Sequence, residues 1–271
     1  MNIVLMNKLV PRSVNGQLDK PENFGLDRVS SFQFGTCHAW KRETNCKTVK
    51  GAILYLHGSG GNRAWPNYRY IWLWIFFVAL VFRITIVHIL NLLGYHVLTV
   101  DITGYGETND KIPTPECTQR DITSSIFQLE KLWPRETKLL WAHSLSTGLV
   151  SSALKETKLT VDGIIMEAPI KSLIDCMKSS PLGVKLQKIW TQKIFNRMIE
   201  YHVNRCDFEL ETEKDILLLD THLLILAAED DESGKQLLIK LISSDFIIRI
   251  LFSRLENFSS PLLTFINCWH L

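Results

Sequence analysis

Short apolar runs, each closed by small or acidic residues, recur along the chain with helical spacings between them. Gly51 to Leu56, Gly94 to Asp101, Leu139 to Trp141, Val161 to Ala168 and Thr221 to Ala228 are too short for buried helices. They read as strands covered on both faces. Between them Ile122, Ile126, Leu129 and Leu132 recur every three or four residues and predict a helix over 118–133. Helices are also predicted over 144–155 and 235–242. Phe24, Val29, Phe32 and Phe34 suggest a leading strand or two, and 246–252 a closing one. Strands alternating with helices imply an α/β domain on a doubly wound, mostly parallel sheet.

Two segments break the rhythm. Ile71 to Phe82 is apolar without interruption, Arg83 breaks it, and Thr85, His88 and Asn91 follow. Three readings stay open for it. It is a buried or lid helix, or a helix that enters a bilayer, reaching the ~20 residues of a span if Arg83 snorkels, or an insert foreign to the working domain. The second segment, 181–213, mixes helical spacing with Trp190, Phe195, Tyr201 and Phe208 and reads as a cap over the sheet. The expected organisation is one domain over 1–271, with an apolar insert at 71–89, a helical cap at 170–215 and an atypical tail at 247–271.

Apolar residues make up 46% of the 271 and charged ones 21%, as suits a globular chain with a large core. A net charge of +2 without a concentrated Lys/Arg face gives no reason to expect nucleic acid as a partner. The six cysteines are scattered and form no C-x-x-C pair, so reduced thiols are expected, with no metal site and no cofactor. The amino-terminal stretch is too short and interrupted for a secretory leader.

The chemistry centres on A-H-S-L-S, 142–146, where a strand turns sharply into a helix. Such a corner lifts the hydroxyl of Ser144 clear of the sheet as a nucleophile elbow. The residues two before and two after must be small, because strand and helix nearly touch. Here they are Ala142 and Ser146 in place of the usual glycines. The competing reading is a strand end followed by a serine N-cap. Acyl transfer also needs donors for an oxyanion. The N–H of Leu145 at the helix start and that of Ser59 in His57-Gly-Ser-Gly-Gly61 are the candidates. Asp231 closes the strand after the cap and is the expected acid, with Asp230 its rival. In the chain order Ser, Asp, His, the only histidine after Asp231 is His270. His143 should point away from the corner. His57 is expected to hold the glycine turn, and His88, His96 and His222 to be structural or on the surface. Ser59, Asp101, Ser144, Ala168 and Asp231 all fall at predicted carboxyl ends of strands, where such sheets collect their functional groups.

The motifs I-L-Y-L-H-G-S-G-G-N-R (53–63), G-Y-G-E-T (104–108), W-A-H-S-L-S-T-G (141–148), G-I-I-M-E-A-P (163–169) and L-L-I-L-A-A-E-D-D (223–231), in this order, resemble the α/β-hydrolase family. The nearest likeness is to a branch of membrane-bound lipases of lysophosphatidylserine and monoacylglycerols. The resemblance implies an α/β-hydrolase fold and a serine hydrolase of lipid esters. In it Ser144 matches the nucleophile, Asp231 the acid, and Ser59 with Leu145 the oxyanion donors. It also implies a lipid ester as partner and association with a membrane such as the endoplasmic reticulum, with a cytoplasmic location as the alternative; membrane contact through 71–93 is expected from the apolar run itself. The family's Tyr-Arg-Gly turn appears here as Ile102-Thr103-Gly104, and the insert and tail have no family counterpart. The alternative function is a hydrolase fold that has lost catalysis and binds.

Overall fold

A computed structural model of the chain describes residues 18, 20–24, 26–59, 61–64, 86–108, 113–179, 181–205, 210–228 and 248–253. The expected helix over 235–242 lies outside the described residues. So does the uninterrupted apolar run 71–82.

Among the described residues, eight strands form one sheet in the order β1-β2-β4-β3-β5-β6-β7-β8. β1 (Val29–Phe34) and β2 (Cys37–Arg42) make an antiparallel hairpin, and β2 runs antiparallel to β4 (Tyr95–Asp101). β3 (Gly51–Leu56), β5 (Lys138–His143), β6 (Gly163–Glu167), β7 (His222–Ala228) and β8 (Ile248–Ser253) complete the sheet, and every pair from β4 onward is parallel. The chain steps from β3 to β4 on one side, then crosses to β5 on the other. The strand order therefore reverses between β3 and β5, which opens a crevice at their carboxyl ends. Leu56 pairs with Ala142, so the two strands end level with each other.

The helices are α1 (Ile86–Leu92), α2 (Pro115–Leu132), α3 (Leu145–Thr157), α4 (Leu173–Ser179), α5 (Pro181–Ile189), α6 (Gln192–Arg205) and the single turn α7 (Thr212–Asp215). Side chains alternate across each strand. Leu54, Leu56, Leu140, Ala142, Ile164 and Met166 bury against the core that α2, α3 and the cap share. Ile53, Tyr55, Leu139, Trp141 and Ile165 face the opposite core with α1. Trp141 is fully buried, which pins the strand that carries the corner.

Of the segment bounded as an apolar insert at 71–89, Ile86 and Val87 belong to α1 and are buried with Leu90 in the second core, as in the buried-helix reading. α1 lies in the crossover between β3 and β4, and its Leu92 stays 65% exposed. No helix among the described residues is long and apolar enough to cross a membrane. The closing strand expected over 246–252, at the start of the segment bounded as a tail at 247–271, is β8, which pairs with β7 from Leu223↔Ile248 to Ala228↔Ser253.

The cap is helical and leaves the sheet after β6. Only part of its aromatic set faces inward. Phe195, Ile199 and Val203, four residues apart, are buried, whereas Trp190 and Tyr201 are exposed. Gly183 seats α5 on the end of α4; a Cβ there would run into the carbonyl oxygens of Met177 and Lys178.

Candidate active site

Ser144 joins β5 to α3 with φ 52° and ψ −117°. That backbone is strained for a residue with a Cβ and persists only where its surroundings hold it. The Ser144 N–H donates to the carbonyl of Glu167 on β6 at 2.8 Å, and its own carbonyl accepts from the Thr147 N–H at 2.9 Å and the Thr147 hydroxyl at 2.6 Å. Its side chain makes no capping bond to the helix. Ser144 thus holds the N-cap position of α3 without the capping bond of an ordinary serine N-cap, and its hydroxyl is left for another use on a half-buried residue.

The glycine turn after β3 lies against this corner. A Cβ on Gly58 would stand 3.1 Å from Ser144 Cβ and 2.7 Å from His143 Nδ1. Only glycine allows the approach. It also means that the His143 imidazole packs against Gly58, beside the corner rather than away from it as expected. The turn closes with the Gly61 N–H donating to the Gly58 carbonyl at 2.9 Å. Ser59 is half-buried within it, and Leu145, buried, opens α3. The first N–H groups of a helix have no partner inside it. The Leu145 amide, at the first position of α3, has no partner within the helix. Gly58 and the Ser144 corner touch, with Ser59 following the one and Leu145 the other in the chain; Asp231, Asp230 and His270 lie outside the described residues.

The small residues demanded at the corner are in place with one change of chemistry. Ala142 is fully buried. Ser146, also buried, donates a hydrogen bond from its hydroxyl to the carbonyl of His57. The oxygen that replaces a glycine hydrogen is therefore bonded to the turn it approaches. Gly148 remains a glycine because a Cβ would sit 3.0 Å from Thr212 Oγ1 and 3.3 Å from Leu210 Cβ.

Beneath the turn lies a buried charge network that the sequence reading missed. Arg63 is 1% exposed and Asp101 is 0% exposed. The Arg63 backbone N–H and guanidinium both donate to the Asp101 carboxylate. The guanidinium also donates to the Leu18 carbonyl at 2.9 Å and to Glu107 at 2.7 Å, and stands 5.3 Å over the Trp40 ring. Glu107 in turn meets His38 Nδ1 at 2.9 Å. A Cβ on Gly106, at φ 53°, would collide with the Asp101 carboxylate. The signal was an arginine two residues beyond a glycine turn, facing a strand that ends in aspartate.

His57 completes this layer. Its Nδ1–H donates to the Gly58 carbonyl at 2.8 Å, and its ring meets Tyr105 edge-on at 4.9 Å. Burial pushes its pKa below the usual histidine value, against the pull of the Asp101 carboxylate. It is held as a neutral strut of the turn, as expected. His96, stacked on Trp133 at 4.9 Å and accepting from the Thr44 N–H at 3.1 Å, is structural. Burial raises the Cys37 thiol to about 12 and the Cys176 thiol to about 11, so neither is a thiolate nucleophile. Among the described residues, no cluster of His, Cys, Asp or Glu could hold a metal ion.

No family model matches the chain. It is 31% identical to human Protein ABHD12B over 195 residues, 68% of this chain and 48% of that protein. It is 27% identical to bovine Lysophosphatidylserine lipase ABHD12 over 186 residues, 66% of this chain and 41% of that protein. The same lipase of Macaca fascicularis is 27% identical over 243 residues. The chain spans about half the length of the curated relatives it matches. Among solved structures, an alpha-beta hydrolase from Vibrio vulnificus superposes with a TM-score of 0.63 at 14% identity, covering 99% of this chain and 90% of that one. An esterase from Pyrococcus furiosus superposes at 0.61 and 12% identity, covering 96% and 94%. By strand order and by these likenesses, the chain is an α/β-hydrolase that resembles ABHD12 and ABHD12B.

Proposed function

We propose that the chain is a serine hydrolase of lipid esters, acting on monoacylglycerols or lysophospholipids at a membrane such as the endoplasmic reticulum. The observation that carries this reading is the strained Ser144 corner pressed against Gly58. The Ser144 hydroxyl attacks the ester carbonyl. The oxygen that gains charge is met by the amides of Leu145 and Ser59, which cost nothing to reorganise because strand, turn and helix already hold them. The alcohol leaves, and water releases the fatty acid from Ser144. Asp231 orients the base and His270 carries the proton in the reading. The names of the ABHD12 relatives, lysophosphatidylserine lipases, support the substrate class. A fluorophosphonate probe tests the proposal: the parent chain should be labelled and Ser144→Ala should not. Folded parent that takes no label overturns it.

A second reading turns on the base, for which His270 is the only histidine after Asp231 in this sequence. A hydrolase fold without a competent base would bind lipid esters without turning them over. Then His270→Ala leaves the labelling rate unchanged and slow, whereas loss of labelling in that variant supports the enzyme.

A further inference from the structure

The cap carries a surface with no role in the chemistry above. From 188 to 194, across the corner between α5 and α6, every residue is exposed. Ile189 is 73% exposed, Ile194 59% and Trp190 39%. On α6 the buried stripe is Phe195, Ile199 and Val203. Ile194, Arg197 and Tyr201, spaced by three and four, share the opposite, outward stripe. Cations flank these apolar side chains. Lys185, Lys188, Lys193 and Arg197 are all exposed, and none is ion-paired with a described residue. From 176 to 199 the chain holds no Asp or Glu. The bounding acids are Asp175, which accepts from the Ser172 hydroxyl at 2.9 Å, and Glu200. The sequence did not present this as a basic face because its members come from two helices.

We propose that the α5–α6 corner of the cap docks on the anionic leaflet of a lipid bilayer. Protruding isoleucines and a tryptophan suit the boundary between headgroups and acyl chains, and lysines beside them meet acidic headgroups. Protein interfaces, by contrast, are depleted in lysine and bury their anchors in complementary pockets. Here the apolar groups stand exposed at the turn between two helices instead. The cap that carries them follows β6, the strand paired with β5 ahead of Ser144.

Vesicle flotation tests this and reads binding alone, without any need for hydrolysis. The parent chain should float with phosphatidylcholine vesicles containing roughly one third phosphatidylserine, and far less with phosphatidylcholine alone. Raising salt should release it, since exposed charges are screened. Lys185→Glu, Lys188→Glu and Lys193→Glu together should lower partitioning on the order of a hundredfold, from about fivefold per lysine. Ile189→Ser, Trp190→Ser and Ile194→Ser together should weaken binding to both vesicle types. All six residues are exposed, so both variants should melt as the parent does. Two results overturn the proposal. One is parent-like flotation of both variants, which puts the lipid contact elsewhere in the chain. The other is a parent that stays unbound while light scattering shows a dimer that the serine variant abolishes, which makes the corner an interface between copies.

Discussion

The Ser146 hydroxyl donates a hydrogen bond to the carbonyl of His57, tying the first turn of α3 to the strand end that begins the glycine turn. Both residues are buried, so no water can replace the bond when it is lost. Ser146→Ala should therefore destabilise the fold by about 1–3 kcal/mol, the cost of an orphaned buried carbonyl. It should also slow fluorophosphonate labelling, because the turn that carries the Ser59 amide loses one of its ties. Urea denaturation measures the first effect and labelling time courses the second.

Asp101 and Arg63 hold the other side of the same turn. Arg63 stands two residues beyond the turn, and its backbone and guanidinium are both fixed on the carboxylate that ends β4. Removing one partner leaves the other charged and buried. Arg63→Met should cost about 3–5 kcal/mol. Asp101→Asn should cost less, since Glu107 and the Leu18 carbonyl still satisfy part of the guanidinium. Arg63→Met combined with Asp101→Leu should recover stability relative to Arg63→Met alone, because no charge is then stranded. Thermal or urea melts of the three variants decide it. A double variant less stable than both single ones would contradict the pairing.

Histidine burial gives the fold a pH dependence of definite sign. His57 and His96 are both held below their ordinary pKa by burial. Well above about 6.5 both are neutral whether folded or not. As the pH falls through that value the unfolded chain takes up protons that the folded chain refuses, so stability declines. The loss continues until the folded values are reached. Urea midpoints should therefore drop between about pH 7.5 and about pH 5.5. His96→Gln keeps an acceptor for the Thr44 N–H and removes one titrating group, so its drop should be smaller than the parent's.

The parallel strands were legible because each is a short apolar run ended by a polar or small residue. Gly51–Leu56 was bounded to the residue, and Tyr95–Asp101 and His222–Ala228 to within one. The corner was legible because A-H-S-L-S gives small residues at the positions where two backbones converge. Three things were not. For Ile86 and Val87 a buried helix, a bilayer helix and a foreign insert stayed open, since periodicity cannot separate a lipid-facing helix from one packed on a sheet. The aromatic residues of the cap gave no sign of which face inward, and of three only Phe195 is buried while Trp190 and Tyr201 are exposed. The Arg63–Asp101 pair joins residues 38 apart in sequence, and its one hint, an arginine two residues beyond a glycine turn, does not name the partner.

The corner itself can be tested through its strain, apart from any question about the base. Ser144 adopts a backbone that costs a residue with a Cβ of order 1–3 kcal/mol. Glycine adopts positive φ without that cost but adds conformational freedom to the unfolded chain, roughly 0.4–1 kcal/mol in the opposite direction. Ser144→Gly should therefore be more stable than the parent by somewhere near 1 kcal/mol. Ser144→Ala keeps the Cβ and the strain, so its stability should match the parent's. The Ser144 side chain makes no capping bond, so no lost interaction offsets the gain. Both variants should lose fluorophosphonate labelling, and only the glycine variant should gain stability. A hydroxyl that must be replaced to relieve the backbone is one the fold holds at a cost, as expected when activity and stability compete at one residue. If Ser144→Gly proves no more stable than Ser144→Ala in urea, the corner is relaxed and the elbow geometry is wrong.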